Sequence, residues 1–277
     1  MTSSFRPSRP AFRPRPAPFR SSSRQRPEPD DSICILYGWH PVIEALRNPR
    51  RKVIRFLASE NAARKIHDEF EDRAEALVAS PDIVHPREID NLLTADAVHQ
   101  GLYLEVEPLA PLSLANLSPN ALVLVLDQIT DPHNVGAMLR TAAAFGVSAV
   151  ITTARHSPFA TGVLAKAASG ALEHIPMIIV RNLSDTIDEL KERGFVCVGL
   201  DSDADTVLDS ATLPVPLRAP LALVMGAEGK GLRQRTKETC TFVAQLEMPG
   251  SIKSLNVSNA TVLALYIATQ ALKVRPQ

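Results

Sequence analysis

At 277 residues, 45% of them hydrophobic, the chain is long enough to build one large core or two modest ones. Its formal charge of zero hides an uneven spread: residues 1–27 carry seven arginines and no acid, leaving 23 basic against 30 acidic residues in the remainder. The three cysteines (Cys34, Cys197, Cys240) make no C-x-x-C pair and no zinc-ligand spacing with histidine, and every apolar run is interrupted before membrane-spanning length, so a disulfide framework, a metal site and a membrane span are all disfavoured.

Residues 1–31 read as disordered and rich in Arg, Pro and Ser, either a solvated tail or, as the acidic balance of the remainder favours, a flexible arm that adds nonspecific attraction to phosphates. Its composition also suits a mitochondrial transit peptide, but its prolines oppose the amphipathic helix such a peptide needs, so a reducing cytoplasm is the expected location. A first globular unit is expected over 32–107. It opens with a turn-then-helix pattern from Leu36 to Leu46, continues with a strand Val53–Leu57 and an amphipathic helix Ala62–Leu77, and closes with a strand in Gly101–Val106. Residues 108–120, with Pro108, Pro111 and Pro119, read as a linker.

The second unit, 121–277, changes character. The unbroken apolar run Leu122–Leu126 suits a strand buried on both faces of a parallel sheet. Then follow a helix from about Gly136 to Phe145 that Gly146 ends, a strand Ala149–Thr152, a helix Gly162–Ala168 and a strand Met177–Val180. Ser184 is expected to cap a helix whose Ile187 and Leu190 share a face, with Gly194 just past its end. Phe195–Leu200 and Leu221–Met225 are further strands, and Asn256–Leu272 a closing helix. Regular alternation of strand and helix predicts an α/β domain with a parallel sheet.

Ligands in such sheets gather beyond the C-terminal strand ends. Three polar, glycine-bearing segments hold that position: Asp127–Arg140, Gly226–Gly231 and Met248–Ser258. In the first, Asn134 reads as a helix N-cap or a site residue. Arg140, placed on the first turns of the helix, reads as a surface ion pair or, set against the macrodipole, as the partner of a phosphate. The second segment permits close backbone approach to a ligand, yet its glycine spacing and Lys230-Gly231 exclude a P-loop. Glu228 there reads equally as solvated or functional. In the third, Ser254 or Asn256 is either a cap for the closing helix or a pocket edge.

In order and spacing, Asp131-Pro132-x-Asn134-x-Gly136…Arg140, Met225-Gly226-x-Glu228-Gly229-x-Gly231 and Ser254-Leu255-Asn256-Val257-Ser258 resemble the three motifs of the SpoU/TrmH family of RNA ribose methyltransferases, within the SPOUT class. Tyr37–Leu46 and Val98-His99-Gln100-Gly101 resemble the start and end of that family's ribosomal-protein-like, L30e-type RNA-binding domain, in the subgroup that methylates a guanosine of large-subunit (23S) ribosomal RNA. The departures are Lys253, where a small residue is more usual, and the arginine-rich arm. The resemblance implies a trefoil-knotted C-terminal domain, S-adenosyl-L-methionine as cofactor held by Gly226, Leu246, Met248 and Leu255, and no metal. It implies a catalytic set of Asn134, Arg140, Glu228, Ser254 and Asn256, and a homodimer bringing Arg140 of one subunit near the cofactor site of the other. The alternatives are the same chemistry on transfer RNA and a noncatalytic RNA-binding assembly factor.

Overall fold

The computed structural model of the chain describes residues 33–70, 77–154, 162–209, 213, 220–251 and 254–273. The expected arm, 1–31, lies outside them, as does the stretch 71–76 of the helix expected over Ala62–Leu77. Ser32–Gln277 forms one compact unit with two sheets.

The first sheet combines β1 (Cys34–Tyr37), β2 (Val53–Ala58), β3 (Asp82–Ile83) and β4 (Leu102–Val106) in the order β1-β4-β2-β3, with β4 antiparallel to both β1 and β2. Around it run α1 (Trp39–Arg47), α2 (Glu60–Phe70) and the single turn α3 (Pro86–Asp90). Strand β1 was not expected: its four residues are too few to show alternation, and it exists because β4 pairs with it along its whole length.

The second sheet holds six parallel strands, β5 (Leu122–Asp127), β6 (Ala149–Thr153), β7 (Met177–Val180), β8 (Val196–Leu200), β9 (Leu221–Gly226) and β10 (Phe242–Ala244), in the order β10-β8-β9-β5-β6-β7. Along β5 the side chains alternate between two cores. Leu122, Leu124 and Leu126 pack in the cluster that contains Met138, Leu139, Leu265 and Ala268, while Val123 and Val125 join the cluster of Ile151, Ile187, Leu190 and Val224. A strand buried on both faces has no polar side to show, which is why its sequence is an uninterrupted apolar run. The helices are α4 (Pro132–Ala144), α5 (Gly162–Ala168), α6 (Leu183–Glu192), α7 (Gln234–Thr239) and α8 (Val257–Lys273).

Helix α4 begins earlier than expected. Asp131 is its N-cap, accepting from the His133 amide at 3.0 Å, and Pro132 occupies the first helical position. Asn134 therefore is not the cap. Nor is Arg140 on the first turns: it is the ninth of thirteen residues, past the midpoint, so the macrodipole gives no reason to seek an anion beside it. Helix α6 is likewise capped by Asn182, whose side chain accepts from the Ser184 amide at 3.0 Å, while Ser184 itself is buried.

Both helix stops fall where the glycines predict. Gly146 and Gly194 have φ of 69° and 85°, and the following residues close six-residue rings, Val147 N–H to Ala142 O and Phe195 N–H to Leu190 O, each at 2.9 Å. These are Schellman ends, which require the left-handed backbone that glycine adopts without strain. The expected linker is tied down: it carries a 3-10 turn at Leu114–Asn116, Leu117 is buried in the second sheet's core, and Arg193 donates to the carbonyls of Leu114 and Leu117.

Candidate active site

The connections after β5 and β9 diverge. The chain leaves β5 through α4 toward β6 on one side and leaves β9 through α7 toward β10 on the other, although β5 and β9 are hydrogen-bonded neighbours. In open parallel sheets ligands gather at such a divergence, beyond the C-terminal strand ends, and there the register pairs Asp127 with Gly226.

Three of the expected residues meet there. The Asn256 side-chain nitrogen donates to Asn134 Oδ1 at 3.1 Å and to Glu228 Oε2 at 3.3 Å, joining the three sequence segments through one amide. At its other end Asn256 Oδ1 accepts from the Ser258 amide at 2.9 Å and from the Ser258 hydroxyl at 2.6 Å, so the same residue caps α8. Asn256, for which the sequence left a cap and a pocket edge as alternatives, caps α8 and at the same time bridges Asn134 and Glu228. Because Asn134 lies within the first turn of α4 rather than at its cap, its amide is free to take part.

The other two expected catalytic residues make no hydrogen bond to this trio. Ser254 is exposed, and among the described residues neither its side chain nor that of Arg140 makes a hydrogen bond or ion pair. Six helical residues separate Arg140 from Asn134, about 9 Å of rise and about 120° of rotation, so the two emerge from different faces of α4. Arg140 is exposed on the face turned away from the core residues Val135, Met138, Leu139 and Ala142.

Of the expected cofactor residues, Leu246 is half-buried against the core of β5, β9 and α8, Met248 is half-buried, and Leu255 is 40% exposed beside Asn256. Gly226 has a different reason for being glycine than expected. A Cβ there would lie 2.2 Å from the Gly231 carbonyl carbon and 2.4 Å from the Leu232 nitrogen, so the space it vacates is filled by the chain's own returning backbone. Ala227 and Gly231 close that loop with paired backbone hydrogen bonds of 3.1 and 2.8 Å.

Two anchors that sequence reasoning missed hold this loop. Asp127 is fully buried at the end of β5. Its Oδ2 accepts from the Arg233 backbone amide at 3.1 Å, and Arg233 Nη2 lies 2.8 Å from Oδ1, close enough for an ion pair but off a good hydrogen-bond angle. This pins the start of α7 against β5. The signal was present: a carboxylate closing an otherwise apolar strand must find a partner. Asp201, after β8, contacts Lys237 Nζ at 2.6 Å. Burial pushes its carboxyl upward, but Lys237 and the amides of Asp203 and Leu232 hold it below the ordinary carboxylate value. The buried thiols take no part, since burial raises Cys197 and Cys240 to about 12 and leaves them protonated.

The trio's Glu228 carboxylate sits in the glycine-rich turn 226–231, a set that suits a cationic organic ligand better than a metal ion. Among the described residues no three His, Cys, Asp or Glu side chains come together.

Residues 121–266 match the family described as the SpoU rRNA Methylase family, and residues 35–112 match that described as RNA 2′-O ribose methyltransferase substrate binding. The chain is 38% identical over 241 residues to the 23S rRNA (guanosine-2′-O-)-methyltransferase RlmB of Coxiella burnetii, covering 84% of this chain and 94% of that protein. It is 39% identical over 242 residues to RlmB of Pseudomonas aeruginosa, covering 83% and 94%. Its fold matches the SpoU methyltransferase AviRb from Streptomyces viridochromogenes, solved with AdoMet, at a TM-score of 0.73 and 20% identity over 88% of this chain and 92% of that one. The AdoMet-bound rRNA methyltransferase from Sinorhizobium meliloti matches at a TM-score of 0.69 and 23% identity, covering 87% and 88%.

Proposed function

The chain belongs to the SpoU rRNA methylase family, and on that premise we propose that it transfers a methyl group from S-adenosylmethionine to the ribose 2′-oxygen of a guanosine in 23S ribosomal RNA. The observation that carries the site assignment is the Asn134–Asn256–Glu228 trio, built by one bridging amide at the divergence of β5 and β9. The substrate assignment rests on the RlmB relatives, which align with this chain across both sheets.

In this reading Leu246, Met248, Leu255 and the backbone around Gly226 hold the cofactor, and the strands and loops around them form the family's trefoil knot. Bound there, S-adenosylmethionine supplies a methyl carbon made electrophilic by its sulfonium. The protein's own share is alignment. Holding a ribose oxygen in line with that carbon makes a bimolecular step effectively unimolecular. Asn134, whose Nδ2 makes no hydrogen bond among the described residues, has donors to spare for the ribose. Within the trio Glu228 alone carries a carboxylate able to accept the hydroxyl proton. Ser254, exposed beside the trio, is a further contact for the substrate.

Arg140 keeps its own proton and so is assigned to electrostatics, holding a substrate phosphate and stabilising the developing alkoxide. It emerges away from its own chain's trio, which supports a homodimer in which the partner subunit's Arg140 completes the site. An exposed apolar stripe on α8 (Val262, Leu263 and Tyr266, 39%, 44% and 53% exposed) supplies a surface for that association. The arginine-rich arm, 1–31, adds attraction to RNA phosphates, and the buried thiols, none of them in a disulfide, suit a reducing cytoplasm.

Arg140→Ala tests the assignment. Methyl incorporation into deproteinised 23S rRNA is expected to fall at least about 100-fold, the scale of losing one charge-stabilising group, with cofactor affinity by calorimetry unchanged. Retained transfer would remove Arg140 from the reaction.

A further inference from the structure

The two sequence motifs of the first unit that the methyl-transfer site leaves unused meet in a cleft of their own. Tyr37–Leu46 contributes Trp39, and Val98–Gly101 contributes His99 and Gln100. With Ser59, Asn61 and Lys65 from the start of α2 they line a space of about 360 Å³, within the range of about 300–1,000 Å³ usual for small-molecule sites.

The cleft is built at a cost to the backbone. Gln100 has φ of 54°, a left-handed conformation uncommon outside glycine. The loop can turn so tightly only because Gly101 follows: a Cβ there would lie 2.2 Å from Ser59 Oγ. The loop is also locked. Trp39 N–H donates to Gln100 Oε1 at 2.7 Å, Gly101 N–H donates to His99 Nδ1 at 3.0 Å, and His99 Nε2 meets Asp90 Oδ1 at 3.0 Å. With Gln100 Oε1 committed, its Nε2 keeps two donors that find no partner among the described residues. Strain held in place by surrounding bonds points to a use for the strained residue.

Lys65 Nζ sits 3.8 Å from the centroid of the Trp39 ring, and Lys65 is exposed and forms no ion pair among the described residues. An exposed cation–π contact of this kind is weak. An aromatic face, a mobile cation beside it and a fixed amide donor form the set that takes an unpaired nucleotide: the ring stacks the base, the ammonium moves onto the phosphate, and the amide reads a base edge. A regular duplex would present stacked bases that Trp39 could not reach.

We propose that this cleft binds one unstacked nucleotide of the RNA substrate, with Trp39 as the stacking platform, Lys65 on its phosphate and Gln100 Nε2 on the base edge. The proposal rests on the reading of the chain as an enzyme acting on RNA. It adds a second anchor point, in the first unit, that orients the RNA by a single-stranded feature near the methylated ribose.

Trp39 is the chain's only tryptophan, so its fluorescence reports on the cleft directly. The full-length protein is titrated with oligouridylate and oligoadenylate octamers and with a duplex of the same length. The single strands are expected to quench Trp39 and the duplex to leave it unchanged. Lys65→Gln should weaken the quenching titration about fivefold, and Trp39→Ala should lower kcat/KM for 23S rRNA about tenfold, chiefly through KM, the scale of losing one base stack. If Trp39→Ala does not fold, Trp39→Phe, which keeps a ring, is expected to hold KM within about threefold while Lys65→Gln and Gln100→Ala raise it. Binding of single strands with silent fluorescence, or equal KM in all these variants, overturns the proposal. A wild-type protein that transfers methyl to rRNA while Trp39 stays silent refutes the cleft alone. Quenching without any methyl transfer refutes the enzymatic reading and leaves the cleft standing.

Discussion

The oxygen of the Asn256 side chain caps α8 while its nitrogen holds Asn134 and Glu228, so its two roles separate chemically. Asn256→Asp keeps the capping oxygen, and aspartate caps as well as asparagine. It removes the donor and sets a second carboxylate against Glu228. Stability in a denaturant titration is therefore expected to stay within about 1 kcal/mol of wild type, while methyl transfer falls about 100-fold. Loss of both together would make Asn256 a structural cap alone. At this scale the motif resemblance singled out Asn134, Glu228 and Asn256, which the structure brings together, whereas local pattern could not: a Ser or Asn before a helix reads as a cap whether or not its other atoms do anything else. For Asp127 the need for a partner is legible, but the partners of Asp127 and Asp201 are not, since Arg233 and Lys237 lie 106 and 36 residues away in sequence.

Elements were legible where the signal was local. Glycine stops at Gly146 and Gly194, and the apolar runs of β5 and β9, lie where expected because backbone strain and burial on two faces act within a few residues. Helices α4 and α6 start earlier than the pattern predicts because several neighbouring polar residues can each serve as a cap, although Asp131-Pro132 is itself a helix-start signal. The three-residue β10 exists only through its pairing with β8. The loop after β9 gives Gly226 a structural reason that the sequence did not show: a Cβ there would meet the chain's own Gly231 and Leu232. Gly226→Ala should accordingly destabilise the protein by about 1–3 kcal/mol, the range for overpacking a tight site, and weaken cofactor binding in step with that loss. Unchanged denaturation with weakened cofactor binding would restore the direct ligand-facing role.

Across the molecule, the first sheet and the second are locked by a buried ion pair that no sequence pattern announced. Arg51 and Glu173, with side chains 4% and 3% exposed, meet at 2.8 Å, and Glu173 also accepts from Asn48 at 2.8 Å. Ala165 and Leu172 of the second unit pack with the first sheet's core. Glu173→Gln leaves Arg51 charged and buried without its counterion, and should cost about 3–5 kcal/mol in denaturant unfolding; a cost below 1 kcal/mol would mean that water reaches the pair. A fixed relation between the sheets matters to the account, because RNA gripped in the first unit must present one ribose to the trio in the second. The central claim is ribose methylation of 23S rRNA at that trio. Deproteinised 23S rRNA and transfer RNA should each be incubated with the protein and methyl-labelled S-adenosylmethionine, and the modified position mapped by resistance of its 3′-phosphodiester to alkaline cleavage. Label is expected at a single guanosine 2′-oxygen of 23S rRNA. Label on a base, on transfer RNA in preference, or on neither RNA would contradict it.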